Sequence, residues 1–410
     1  MGNILVCTVG GACAPIVTAV RDYAPTYVCF LATTGARGSR VTVDGTGYPC
    51  GENIPNIITQ TALTPGSYGI IELEEPDSLP DCYRVMRSIL RKLADAHQGA
   101  RYVADYTGGT KTMGAALVLA ALELNWELSL VRGTRADLVR VLDGSEMASL
   151  VNAGEVRARQ VLNEAERLFD AYAYSSAESV IEGIVRAAPL SNEMQRMVSQ
   201  MVALCRAFDA WDRFDHARAK QLLMPYQSRC VSQWRFLKSL TGERATGYEP
   251  VIDLLRNAER RAGRGRYDDA VARLYRTLEL LAQLRLRQRT PPLDPSNISI
   301  ELLPENLRAQ YESLRDVHSQ KIQIGLRQNY ELLSELDDPI GIVYRAFAKR
   351  LLNALTSRNN SILAHGLTPL TESEYKTMRV LTIDFVNDCL DAVNIKIEAP
   401  QFPRWMELTQ

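Results

Sequence analysis

The sequence of 410 residues predicts an α/β domain on a doubly wound, mainly parallel sheet, followed by an all-α remainder. Three observations carry that expectation. In the first 150 residues, short apolar runs alternate with amphipathic stretches of helical period, the pattern of strands buried on both faces by crossover helices. Beyond Glu155 the strand patterns vanish and amphipathic helices follow one another. Two of the early apolar runs end in glycine and threonine and lead into a helix, as strands of such sheets do at their ligand-facing ends.

Taken in order, residues 4–9 are a first strand ending at Gly10-Gly11, and 15–23 are a helix. A second strand, 27–32, ends at Thr33-Thr34-Gly35; residues 36–66, rich in Gly, Pro, Thr and Asn, form an insertion without a readable element. Strand 68–73, helix 79–96, strand 101–106, helix 111–124 and strands 126–131 and 138–142 complete a Rossmann-like domain over 1–150. Helices at 155–172, 175–187, 191–209, 214–223 and 229–240 make a helical linker region over 151–246, punctuated by Pro189 and Pro225, with a joint at Thr241-Gly242-Glu243 and Gly247. A C-terminal all-helical domain, 247–410, opens near Tyr248 with a long helix over 267–289 whose apolar stripe is Val271, Leu274, Leu278 and Leu281. Its Arg273, Arg276, Arg285, Arg287 and Arg289 read either as an RNA path or, with more weight, as a solvated face. Further helices at 328–337, 339–357 and 372–394 close an antiparallel bundle.

Composition narrows the function. With 46% hydrophobic and 23% charged residues the chain has the make-up of an ordinary globular protein with two or three cores. No run of eighteen apolar residues occurs, and Met1-Gly2-Asn3 leads straight into the first strand without a charged leader, so a cytoplasmic protein with no membrane partner is expected. Eight cysteines, Cys7, Cys13, Cys29, Cys50, Cys82, Cys205, Cys230 and Cys389, show no C-x-x-C pair and no zinc-like spacing; they read as reduced, mostly buried thiols, with no metal site. The 47 Lys and Arg against 48 Asp and Glu leave a net charge of −1. That balance argues against a protein that coats nucleic acid, and no DNA partner is expected; it leaves room for an enzyme that touches RNA at one small site. His97, His216 and His318 have no ligand-like neighbours and read as surface or packing residues.

Two loops at strand ends are chemically loaded. In Asp105-Tyr106-Thr107-Gly108-Gly109-Thr110-Lys111-Thr112, a strand passes through glycines and threonines into a helix. Glycines let a backbone approach a ligand, the helix start offers unpaired N–H groups, and Lys111 adds a point charge, which together describe an anion cradle. A triphosphate loop of the G-x-x-x-x-G-K-[ST] kind is not indicated, because Thr110 precedes the lysine and the first glycine is missing. Thr8-Val9-Gly10-Gly11 lacks the G-x-G-x-x-G spacing of a dinucleotide fingerprint, so an oxidoreductase is not indicated. In both loops the plain alternative stays open, that the glycines only make tight turns.

Near the other end, Ser357-Arg358-Asn359-Asn360-Ser361-Ile362-Leu363-Ala364-His365-Gly366 gathers an arginine, two amides, a hydroxyl and a histidine. Arginine can hold a phosphate through a planar fork of donors, and histidine can exchange a proton near neutral pH. A metal-independent ribonuclease needs little more: a group to stabilise the anionic transition state and a group to move protons. On one unbroken helix, positions seven apart lie about 10 Å apart along the axis. Either the helix breaks at the cap-type residues Asn359-Asn360-Ser361, or the groups of one chain work with those of a second.

Arg358, six intervening residues and His365 resemble the R-x(4–6)-H signature of HEPN-domain ribonucleases, which are all-helical dimers. The loop from Thr107 to Thr112, with Thr8, Gly10 and Gly11, resembles the CARF domain, the Rossmann-like sensor of type III CRISPR systems. Together, in this order, the two motifs are similar to a CARF–HEPN ribonuclease of CRISPR antiviral defence over nearly the whole chain. The resemblance implies a homodimeric endoribonuclease, allosterically activated by cyclic oligoadenylate (tetra- or hexa-adenylate) and needing no other cofactor. It implies Arg358, His365 and, in second rank, Asn359 as catalytic residues acting on single-stranded RNA. Thr8, Gly10, Gly11, Thr107, Gly108, Gly109, Thr110, Lys111 and Thr112 would then bind the effector, with Thr33 and Thr34 on a further loop. Two rivals stay in view: a nucleotide-sensing regulator whose helical bundle is not catalytic, and a ring nuclease that degrades its own effector in the sensor pocket.

Overall fold

The structure, a computed structural model, describes residues 2–35, 38–133, 146–185, 190–359 and 367–409, with the backbone alone for 184–185, 355–359 and 409. The chain divides into two compact units, Met1–Arg159 and Gln160–Gln410.

The first unit is the expected α/β domain. In chain order it contains β1 (Asn3–Thr8), α1 (Ala14–Tyr23), β2 (Tyr27–Thr33), α2 (Arg40–Asp44), α3 (Ile57–Thr61), β3 (Tyr68–Leu73), α4 (Leu79–Ala96), β4 (Arg101–Asp105), α5 (Lys111–Glu123), β5 (Glu127–Arg132) and β6 (Met147–Val151). The sheet order is β3-β2-β1-β4-β5-β6, parallel throughout except that β6 runs against β5. Alternation along each strand sorts two cores. Ile4 and Val6 of β1, with Cys29, Leu31 and Ala104, pack under α4 and α5. Leu5 and Cys7, with Val28, Phe30 and Val103, pack under α1. The order in which the strands are laid down across the sheet reverses between the parallel neighbours β1 and β4, which leaves a crevice at their carboxyl ends.

Two expectations need correcting in this unit. The insertion 36–66 is not without structure: it carries α2 and α3, each of five residues and too short to show a period, with the Asn56 side chain accepting from Thr59 N–H at the start of α3. The cysteines are not all thiols, because Cys13 and Cys50 form a disulfide. The fold brings the residue before α1 to a Cα–Cα distance of 5.7 Å from a loop 37 residues later, a meeting that sequence spacing does not announce. The other six cysteines are buried and free. The strand expected at 138–142 lies outside the described residues; the edge strand of the sheet is β6.

The second unit is helical. α6 (Gly154–Asp170) crosses into it and is followed by α7 (Tyr174–Val185), α8 (Asn192–Asp212), α9 (His216–Leu223), α10 (Val231–Leu240), α11 (Glu249–Gly263), α12 (Tyr267–Gln288), α13 (Glu305–Glu312), α14 (Leu326–Glu335), α15 (Pro339–Asn359), α16 (Glu372–Ala392) and α17 (Trp405–Thr409). Val271, Leu274, Leu278 and Leu281 of α12 are buried as their spacing predicts, and α12 is the helix against which α11, α14, α15 and α16 all pack. A buried polar knot joins α8 to α11: Asp212 accepts from Asn257 Nδ2 at 2.8 Å, Arg260 Nε at 2.7 Å and Arg261 Nη2 at 2.6 Å. Asp253 accepts from Trp211 Nε1 at 3.1 Å and lies 2.9 Å from His216 Nε2. His216 is thus a packing residue with a carboxylate partner. Among the described residues no helix is long and apolar enough to cross a membrane, and no group of three metal-ligating side chains occurs.

Candidate functional site

The crevice between β1 and β4 is built by glycine. Thr8, fully buried at the end of β1, donates its hydroxyl to Gly108 O at 2.7 Å, which clips the two loops together. A Cβ on Gly108 would lie 2.3 Å from Thr8 O, and one on Gly10 would lie 2.8 Å from Gly109 N. Any side chain there would push the loops apart. Gly109 has φ +77°, in the left-handed region that glycine adopts at little cost.

Asp105 sets the second loop. Its buried carboxylate accepts the Thr107 N–H at 3.1 Å and the Ser129 hydroxyl at 2.6 Å, and Ser129 in turn accepts from Tyr23 at 3.0 Å. Burial raises the Asp105 pKa above the usual carboxylate range, while the bonds from Ser129 and Thr107 pull it back. Thr107 Oγ1 accepts the Val131 N–H at 2.8 Å. Thr110 caps α5 by accepting the Met113 N–H at 3.1 Å and donates to Pro76 O at 2.9 Å. The third loop is tied in from the far side of β1. Thr33 and Ser39 bond each other through main chain and side chain, and the Thr42 hydroxyl sits 2.7 Å from Ser39 O and 3.5 Å from Gly10 O.

The structure therefore brings Thr8, Gly10, Gly11 and Thr107 to Thr112 to one crevice, with Thr33 and Thr34 on the adjoining loop. It also divides their labour. The hydroxyls of Thr8, Thr33, Thr107 and Thr110 hold the loops in shape. Gly11 has open space around it, and Lys111, at the start of α5, is exposed and makes no ion pair among the described residues. Asp105, Ser129, Ser39 and Thr42 were missed as site builders. Asp105 had a signal, a carboxylate immediately before the glycines, and Ser129 interrupts an apolar strand; Ser39 and Thr42 lie in the insertion and had none.

The other candidate centre is placed by α15. At its start the buried Asp338 accepts the Ile340 N–H at 3.0 Å, Arg285 Nε at 3.0 and 2.9 Å, and Arg289 Nη1 at 2.7 Å. Those two arginines are neither an RNA path nor a solvated face. They anchor α15 to the end of α12. Arg287 pairs with Asp294 at 3.3 Å, Arg276 with Glu279 at 2.6 Å, and Arg273 with Asp269 at 3.6 Å. α15 runs back along α12 until Ala354 shares a cavity of about 150 Å³ with Val271, Leu370 and Met378. The helix continues through Arg358 and Asn359, so these two residues fall in its last turn. His365 lies outside the described residues.

Comparison with known proteins adds to this geometry. Residues 243–388 match the Csm6 HEPN domain family and residues 158–243 the Csm6 6H domain family. Among solved structures, Enterococcus italicus Csm6 bound to cyclic hexa-2′-fluoro-hexa-dAMP has a similar fold. Its TM-score is 0.58 at 15% identity, and the match covers 96% of this chain and 95% of that chain. A search of curated protein sequences gives no match. A doubly wound sheet with its crevice at the β1–β4 reversal, followed by 6H and HEPN helical domains, defines the CARF–HEPN class. Within that class, residues 158–388 carry the two helical domains of the Csm6 type.

Proposed function

We propose that the chain is an endoribonuclease of type III CRISPR defence, switched on by a cyclic oligoadenylate held in the β1–β4 crevice. The observation that carries this reading is the joint presence, in one chain, of a glycine-built anion cradle and of a HEPN-matching bundle that contains Arg358 and His365. Cyclic adenylate presents a ring of phosphates, which suits main-chain N–H groups, a helix start and the unpaired Lys111. The relative's ligand, a ring of six nucleotides, favours hexa-adenylate over tetra-adenylate.

In the HEPN domain, Arg358 holds the scissile phosphate and stabilises the charge that develops there, and His365 moves the proton between the 2′-hydroxyl and the leaving 5′-oxygen. Asn359, next to Arg358 in the last turn of α15, adds a polar contact. Attack by the 2′-hydroxyl leaves a 2′,3′-cyclic phosphate and calls for no metal; single-stranded RNA reaches the in-line geometry most easily. Arg358 and His365 are seven positions apart, and of the two ways to bring such groups together, a break of the helix at Asn359-Asn360-Ser361 or a second copy of the chain, this reading takes the second, a site completed in a homodimer. The ring must bind the active arrangement more tightly than the inactive one, since a ligand shifts an equilibrium only by its differential affinity. Four of the threonine hydroxyls around the crevice are committed to loop structure, which suits holding the ring better than cutting it.

The test is cleavage of a fluorescent single-stranded RNA in EDTA, with and without cyclic tetra- and hexa-adenylate, for wild type beside Arg358→Ala and His365→Ala. Cleavage that depends on one ring, disappears in both variants and yields cyclic phosphate ends is expected. Silence with both rings, despite measurable binding of one, would sink the nuclease reading and leave a sensor.

A further inference from the structure

A groove of about 1190 Å³ runs along α10, the 243–246 joint and the first half of α11, bordered by residues 396–400. Five cationic side chains line it against three carboxylates, in a chain whose net charge is −1. Two of the carboxylates are already engaged. Glu249 accepts the N–H groups of Thr246 and Gly247 at 2.7 and 2.9 Å, and Glu243 is held by Lys220 at 2.6 Å and Lys238 at 3.7 Å. Arg235, Arg244 and Lys396 are exposed and make no ion pair among the described residues. Free cations in a long open groove attract a polyanion.

The groove also has a direction. At one end, the Thr246 carbonyl accepts from Gln288 Nε2 in the last turn of α12. At the other, Arg256 shares Glu259 with Arg379 of α16. The residue before Arg379, Met378, lines the small cavity beside Ala354, one turn before Arg358. Along α12, Gln288 at the far end of the groove and Val271 at the small cavity are seventeen residues or about 26 Å apart. That is about eight nucleotides at the stacked rise of about 3.4 Å.

We propose that this groove holds the sugar-phosphate backbone of single-stranded RNA at a distance from the bond that is cut, an extension that rests on the ribonuclease reading above. Arginine and lysine contacts to phosphate position a strand without reading its sequence, and each one releases counterions, which makes the affinity depend on salt. A substrate of four nucleotides cannot reach from the catalytic end to the far end of the groove; one of twenty can.

The experiment compares the full chain with Arg235→Glu/Arg244→Glu/Lys396→Glu, three exposed positions at which thermal melting should match wild type. Binding of a 20-nucleotide RNA is read by fluorescence anisotropy in a His365→Ala background across a salt series. Cleavage of the 20-mer and of a 4-mer is read in the His365 background with activator. Expected are a loss of at least tenfold in 20-mer affinity, and a log–log salt slope shallower by about 2, at about 0.7 per phosphate contact on single strands. The kcat/KM for the 4-mer should stay as in wild type. Unchanged 20-mer affinity and slope overturn the proposal, and so does an equal loss of cleavage on 4-mer and 20-mer. If wild type cleaves neither RNA while the variant still loses affinity and slope, the ribonuclease reading falls and the groove stands.

Discussion

Asp105 and Asp338 hold the two centres, and each is a carboxylate that orients main chain or arginine inside the protein. Asp105→Ala strands the Ser129 hydroxyl and the Thr107 N–H, at a cost of about 1–3 kcal/mol; thermal melting should fall accordingly and calorimetry should show weaker binding of cyclic hexa-adenylate. The raised pKa of Asp105 fixes a pH signature as well. Its folded form binds the proton more tightly than the unfolded chain, so the stability it lends is full below the unfolded value near 3.9 and is lost as pH rises through the folded value. Melts of wild type and Asp105→Asn over acidic to neutral pH should show wild type losing ground to the variant as pH rises; a constant difference would contradict this. Asp338→Ala leaves Arg285 and Arg289 unpaired beside a buried site, and urea unfolding should register a loss of about 3 kcal/mol. Of these roles the sequence showed little. Thr8 and Gly108 are a hundred positions apart, and which hydroxyl closes on which carbonyl is decided by strand order, not by neighbours in the chain.

Elements were far more legible than side-chain partners. Helix 79–96 has the ends that its apolar period and Pro80 mark, and the strand at 68–73 is as read, because a mainly apolar stretch of strand length lies between Pro65-Gly66 and Pro76. What escaped was α11, fifteen residues long and largely buried, and a set of short or half-exposed elements: α2 and α3, the edge strand β6, and α13, whose residues Glu305–Glu312 are mostly polar. The glycine loops were visible as loops, yet their purpose is contact between neighbouring elements, and that separates two similar substitutions. Gly108→Ala puts a Cβ 2.3 Å from Thr8 O, whereas Gly11→Ala meets nothing within 4 Å. The first should lower the melting temperature of the α/β unit and cut ring affinity at least tenfold by calorimetry; the second should melt with wild type. Equal melting of the two variants would show that the loops do not need their close approach.

At the scale of the whole molecule, a site completed by a second copy requires that activity follow the dimer. Sedimentation velocity should give twice the 45.8 kDa of one chain at assay concentrations, and dilution to monomer should abolish ring-dependent cleavage; full activity in a monomer would remove the shared site. The length of α15 then acquires a mechanical meaning. It is fastened at Asp338 and bears Arg358 nineteen residues beyond Pro339, about 28 Å along its axis. A rod of that length turns a tilt of about 2° at the fastened end into about 1 Å at the Arg358 end, and a misplacement of about 1 Å can change a rate about a hundredfold. Such gearing lets a rotation too small to unpack a core switch catalysis between off and on.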